Sequence, residues 1–244
     1  MDTIEQVVDI ATADGPMAAP TSRPADGGAH PAVIVIQEVF GVNANIEGIV
    51  QRFAQEGYIV AAPDLYHRAG RLRSIPYDKL QEMRDEMRAG GYGDASIDMD
   101  VQATIDYLRS DPNVGAIGIV GFCLGGRVSM QSAIRAKGLS AAAIYYGGFM
   151  FPADDQPEAF SVLREAEALS IPVVGFFGEE DQNPTPEQVR TLDEHLTALG
   201  KEHEFHVYAG AGHGFFCDDR AGHRPEASAD AWEKTLALFA AHLR

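Results

Sequence analysis

The chain has 244 residues, 45% of them hydrophobic, which is enough apolar material for an α/β domain with a substantial core. Its 36 acidic side chains outnumber 19 basic ones, for a formal net charge of −17. This excess disfavours nucleic acid and anionic membrane surfaces, which bind through Lys and Arg. Two cysteines cannot form a disulfide framework, and neither a signal peptide nor an apolar membrane span is evident. We therefore expect a cytoplasmic protein.

Predicted strands and helices alternate along the chain. The first thirty residues contain short alternating runs around Asp14-Gly15, a favoured tight-turn pair, and predict a β-hairpin. Continuous apolar runs, typical of strands buried on both faces, follow and are separated by amphipathic helical stretches. The predicted strands are 32–36, 58–62, 116–120, 141–146, 172–177 and, nearer an edge, 203–208; the helices lie near 44–56, 77–89, 96–110, 124–137, 186–199 and 227–243.

This alternation predicts the α/β class, with a mostly parallel, doubly wound sheet of about seven or eight strands covered by helices on both faces. No repeat, low-complexity tract or linker divides the sequence, so residues 1–244 are expected to form a single domain. Segment 67–95, rich in Arg, Met and Gly, is the least regular part and is a candidate for a mobile cover over a site.

The strongest chemical signal is a Gly-x-Cys-x-Gly motif at residues 121–125, between the apolar run 116–120 and a helical pattern. This context is that of a nucleophile elbow, with Cys123 where serine usually stands. The small neighbours allow a sharp turn, and the following helix N-terminus favours a thiolate and a developing oxyanion. The alternative is that Cys123 is a buried, inert thiol at a tight turn.

A nucleophile elbow requires an acid and then a histidine further along the chain. Asp181 follows the last continuous apolar run, with Glu179 and Glu180 as competitors, and the alternative for all three is a solvated acidic turn. His213 lies between glycines after the final predicted strand, where surface exposure is the alternative. The sequence has no metal-binding histidine or cysteine cluster and no dinucleotide fingerprint, so neither a metal nor a cofactor is expected.

Six segments of the sequence together resemble the dienelactone hydrolase family, also called carboxymethylenebutenolidases, over nearly the whole chain. The resemblance implies the α/β-hydrolase fold and a triad of Cys123, His213 and Asp181. It also implies that the Glu38 carboxylate contacts the thiol and can hold its proton until substrate binds. The segments that carry it are Ile36 to Asn43, Ala62 to Tyr66, the Cys123 elbow, Tyr145 to Gly148, the Asp181 loop and Gly212 to Phe215. The implied oxyanion hole consists of the backbone N–H groups of Leu124 and Val39.

The family resemblance also implies that arginines bind a carboxylate of the substrate. One such arginine lies four residues after the histidine, where this chain has Cys217. We expect Cys217 to be a packing residue or an incidental thiol, with a redox role as the alternative. Arg220 or Arg224 is expected to substitute from nearby. A second contact is expected from the predicted helix near 77–89. The predicted substrate-binding residues are Arg84, Arg88, Arg220 and Tyr146.

These features predict a hydrolase that cleaves a small ester or enol-lactone through an acyl-enzyme, as a monomer or homodimer, without nucleic-acid or membrane partners. Two alternatives come from other classes: a non-catalytic binding domain that retains the fold, and a redox sensor that uses Cys123. Acylation without turnover favours the first alternative. Sensitivity to peroxide without esterase activity favours the second.

Overall fold

The computed structural model describes residues 1–79, 81–82, 85, 93–152 and 159–244, and its eight strands form one sheet. The strands are β1 (Thr3–Thr12), β2 (Gly15–Pro24), β3 (His30–Ile36), β4 (Ile59–Ala61), β5 (Val114–Phe122), β6 (Leu139–Tyr145), β7 (Val173–Gly178) and β8 (His203–Tyr208). Their order across the sheet is β1-β2-β4-β3-β5-β6-β7-β8. β1 and β2 form an antiparallel hairpin, β2 pairs antiparallel with β4, and the other pairs are parallel.

Helices cover both faces of this sheet. Within the described residues they are α1 (Ala44–Gln55), α2 (Asp94–Arg109), α3 (Leu124–Arg135), α4 (Val162–Glu165), α5 (Pro186–Ala198) and α6 (Pro225–Leu243), with a 3-10 turn at Ala166–Ala168. α1 and α6 share one face, where Phe53 contacts Trp232 and Phe239 at ring-centroid distances of 4.4 and 6.0 Å. α2 and α3 contact each other on the opposite face.

The core lies on both sides of the central strands. Residues 32–36 of β3 are fully buried, as expected for a continuous apolar run in a parallel sheet. In β5, Gly118 allows close packing of α6, because a Cβ there would lie 2.9 Å from Phe239 and Leu243. β8 is only partly buried and forms an edge of the sheet, in agreement with its alternating sequence.

The predicted fold class, the N-terminal hairpin and the buried strands are confirmed. The helix predicted near 77–89 lies largely outside the described residues, as do residues 80, 83–84 and 86–92 of segment 67–95. The short helix α4 was not predicted from the sequence. In the part of the chain that the structure describes, no helix is long and apolar enough to cross a lipid bilayer.

Candidate active site

Cys123 alone makes the turn between β5 and α3. Its backbone has φ 56° and ψ −115°, a conformation that is unusual for a residue other than glycine. A Cβ on Gly121 would lie 2.0 Å from the carbonyl oxygen of Gly125, and a Cβ on Gly125 would lie 2.4 Å from the carbonyl oxygen of Ile36. The elbow therefore requires glycine at both positions, and it places the thiol at the N-terminus of α3.

His213 and Asp181 lie in the loops after β8 and β7, at the same edge of the sheet as Cys123. The Nδ1 atom of His213 lies 2.9 Å from Oδ2 of the buried Asp181, whose Oδ1 accepts the N–H of Asn183 at 2.9 Å. Burial lowers the pKa of His213, but its interactions with Asp181 and Cys123 raise the pKa to about 10. The imidazole is thus hydrogen-bonded to the Asp181 carboxylate and is also influenced by Cys123.

Glu38 lies just after β3 and is only 1% exposed. Neither of its carboxylate oxygens has a hydrogen-bond donor among the described residues, which is rare for a buried acid. Nη1 of Arg220 lies 3.6 Å from Oε1, beyond hydrogen-bonding distance. Burial raises the pKa of Glu38, while Arg220, His213 and Tyr146 act in the opposite direction. A carboxylate in this setting is a stronger base than an exposed one.

Arg220 reaches Glu38 across Gly214. A Cβ on Gly214, which has φ 78°, would lie 2.3 Å from Nη1 of Arg220, so a side chain there would displace the guanidinium from this position. The guanidinium carbon lies 5.9 Å from the ring centre of Phe40 and 5.7 Å from that of Tyr77. These two rings and the Glu38 carboxylate define a half-buried position for one positive charge.

Comparisons with known proteins identify the family of the chain. A model of the dienelactone hydrolase family matches residues 17–243. The chain belongs to this family. It is 33% identical over 230 residues to a Synechocystis protein assigned as a carboxymethylenebutenolidase, with 91% of each chain covered. It is 26% identical over 238 residues to a Bradyrhizobium protein assigned as a 2-oxo-3-(5-oxofuran-2-ylidene)propanoate lactonase, with 97% and 94% covered.

A solved structure of a similar protein has the same fold as this chain. The chain superposes on a Klebsiella pneumoniae protein assigned as a dienelactone hydrolase with a TM-score of 0.88 and 30% identity, over 98% of this chain and 99% of the other. This match confirms the α/β-hydrolase fold. Membership of the dienelactone hydrolase family also makes the chain a hydrolase of the esterase and lactonase class, and does not favour the binding-only or redox-sensing alternatives.

The structure brings most of the predicted site residues together. Leu124 is the first residue of α3, and the carbonyl of Val39 accepts the hydroxyl of Tyr66 at 2.9 Å, which fixes that loop. The Tyr146 ring centre lies 5.2 Å from that of His213. Arg224 instead donates to the carbonyl oxygens of Gly210, Gly222 and His223, so its guanidinium holds a loop. Arg84 and Arg88 lie outside the described residues.

Cys217, at the position where the family resemblance implies an arginine, is buried. Its Sγ lies 3.3 Å from the hydroxyl of Tyr77, which also accepts Nδ2 of Asn43 at 3.0 Å. Burial raises the pKa of the Cys217 thiol, so it is held in its neutral form. The sequence did not identify Tyr77 and Asn43 as site residues, because they join the site only through contacts with residues far away in the chain.

Proposed function

We propose that the chain hydrolyses a small ester or enol-lactone that carries a carboxylate, through an acyl-enzyme on Cys123. The observation that carries this proposal is the 2.9 Å pair of His213 and Asp181 beside an elbow cysteine. Nucleophile, base and orienting acid occur in the order and on the loops that acyl transfer in this fold requires. The names of the lactonase and carboxymethylenebutenolidase relatives support the substrate class.

In the proposed reaction, the Cys123 thiolate attacks the substrate carbonyl and a C–S bond forms. The N–H groups of Leu124 and Val39 stabilise the oxyanion. His213, oriented by Asp181, gives its proton to the leaving oxygen as the C–O bond breaks. His213 then removes a proton from water, the resulting hydroxide attacks the thioester, and the thiolate leaves with its electron pair.

Glu38 and Arg220 are proposed to make activation depend on substrate. Arg220 lowers the pKa of the buried Glu38 in the free protein. A substrate carboxylate that attracts the guanidinium weakens this effect, so Glu38 becomes a stronger base. Glu38 can then take the proton of the Cys123 thiol at the moment when substrate is present.

A panel of lactones and esters, with and without a carboxylate and including dienelactones, tests the proposed function. Wild type is expected to turn over the carboxylated members best, and Cys123→Ala should lose turnover of all of them. Arg220→Ala should lower kcat/KM for carboxylated substrates about tenfold to a hundredfold, the worth of a charged hydrogen bond. Neutral esters should be affected much less.

Arg224→Ala is the matched control, because this arginine lies four residues away and contacts backbone carbonyls instead of Glu38. It should leave the preference for carboxylated substrates unchanged. Equal effects of the two arginine variants on both substrate types would refute the carboxylate-binding role. Full turnover by Cys123→Ala would refute the proposed mechanism.

A further inference from the structure

Phe149 combines a strained backbone with an exposed aromatic ring. Its φ of 61° lies in the left-handed region, which is costly for a bulky side chain, and the residue is 51% exposed. A half-exposed ring recovers only about half of the roughly 1.5–3 kcal/mol that full burial gives, which at best offsets the strain. Glycine would fit this backbone without strain. Neither local conformation nor packing therefore accounts for phenylalanine at this position.

The surrounding structure holds Phe149 in place from both sides. Its N–H donates to Oδ1 of Asn183 at 3.1 Å, and its carbonyl oxygen accepts Nε of Arg127 at 3.2 Å. Arg127 is itself buried and bonds to Asp94 and to Oε1 of Gln131. These hydrogen bonds fix the backbone, so the ring stays exposed to solvent, as expected for a residue of a binding surface.

Phe149 is directly linked to the catalytic loops. The N–H of the preceding Gly148 donates to the carbonyl of Cys123 at 3.3 Å, and Asn183 donates its own N–H to Asp181. The loop of Phe149 follows β6, whereas Glu38 follows β3, and these strands flank β5 on opposite sides. Phe149 and Glu38 therefore lie on loops at opposite sides of the nucleophile.

We propose that Phe149 is a specificity-determining residue whose ring contacts a flat apolar or conjugated part of the substrate, opposite the carboxylate end at Arg220. This inference rests on the proposed function and adds a second recognition point to it. A contact between an aromatic ring and a flat group contributes about three- to tenfold in affinity. Ligands of open α/β sheets bind outside the carboxyl ends of the strands, where this loop lies.

Vinyl benzoate and vinyl acetate, which share one leaving group, provide the test. Phe149→Gly should raise KM for vinyl benzoate about three- to tenfold and leave KM for vinyl acetate nearly unchanged. Its thermal midpoint should equal or exceed that of wild type, because glycine relieves the strained φ. Phe149→Tyr, which keeps the ring, should retain the wild-type preference. Met99→Ala is the matched control, since Met99 is 47% exposed on α2.

A parallel change in KM for both esters would overturn the role of Phe149. So would a thermal midpoint that falls further in Phe149→Gly than in Met99→Ala, because that result would indicate a structural role. Cys123→Ala assayed on vinyl acetate separates this inference from the proposed function. If Cys123→Ala loses this activity and Phe149→Gly changes KM equally for both esters, the mechanism holds and only the proposed contact of Phe149 is refuted.

Discussion

Glu38 is placed where an ordinary surface carboxylate would not be stable. It is almost fully buried, has no hydrogen-bond donor among the described residues, and lies 3.6 Å from a guanidinium that does not bond to it. Burying such a group costs free energy of folding, which other contacts in the fold must offset. A proton-accepting role in the proposed mechanism gives a reason for its retention.

Glu38→Gln is expected to raise stability at neutral pH and to lower activity. The folded pKa of Glu38 lies above its ordinary value of 4.5, so the folded state binds this proton more tightly than the unfolded state. The stabilisation that Glu38 gives by binding this proton is therefore fully present below the ordinary pKa of 4.5, and it is lost as pH rises through the folded pKa. The thermal midpoint of Glu38→Gln should exceed that of wild type, and the difference should increase from about pH 4 to about pH 8. A wild type at least as stable as the variant at neutral pH would contradict this account.

The junction of β5 and α3 is the element on which the chemistry depends. Gly125 brings α3 against the end of β3, and Gly121 of β5 packs against the first turn of α3, so closely that no Cβ fits at either position. The resulting turn holds Cys123 with a positive φ at the end of a central strand. Stability of this element and the position of the buried Cys123 at the N-terminus of α3 are thus two consequences of one packing arrangement.

Gly125→Ala should lower the free energy of unfolding by about 2–4 kcal/mol, because the new Cβ would lie 2.4 Å from the carbonyl of Ile36. Gly48→Ala in α1 is the control. A Cβ there meets nothing within 4 Å, so alanine should be neutral or stabilise by about 0.5–1 kcal/mol. Denaturant unfolding measures both variants. An unfolding free energy for Gly125→Ala equal to that of wild type would show that the elbow tolerates a side chain.

Sequence patterns predicted the elements whose burial follows a simple rule. Continuous apolar runs identified β3, β5 and β6 because both faces of these strands are covered. The loops carrying Asp181 and His213 followed from chain order. The contacts of Tyr77 and Phe149 could not be predicted, because each depends on loops far apart in sequence. Arg220 is one of two arginines that the sequence predicts to substitute near residue 217, and only the structure shows that it, and not Arg224, lies beside Glu38.

The whole molecule carries a formal net charge of −17, which opposes the approach of an anionic substrate. Arg220 supplies a local positive charge beside the buried Glu38, but it acts only at short range. The field that a carboxylated substrate meets on its way to the site is therefore mostly repulsive.

Raising the ionic strength from about 0.01 M to about 0.15 M shortens the Debye length from about 30 Å to about 8 Å. We expect kcat/KM for a carboxylated ester to rise over this range, because the long-range repulsion is screened. A neutral ester of the same alcohol is the control and should show little change. A decrease for the carboxylated ester would show that local attraction at the site outweighs the net charge.

Detection of an acyl group on Cys123 is the most direct test of the proposed mechanism. Wild type would be mixed briefly with an activated ester, quenched in acid and analysed by peptide mass spectrometry. The mechanism predicts an acyl adduct on the peptide containing Cys123, its release by hydroxylamine as expected for a thioester, and its loss in Cys123→Ala together with turnover. An adduct on another residue, or full turnover by Cys123→Ala, would contradict it.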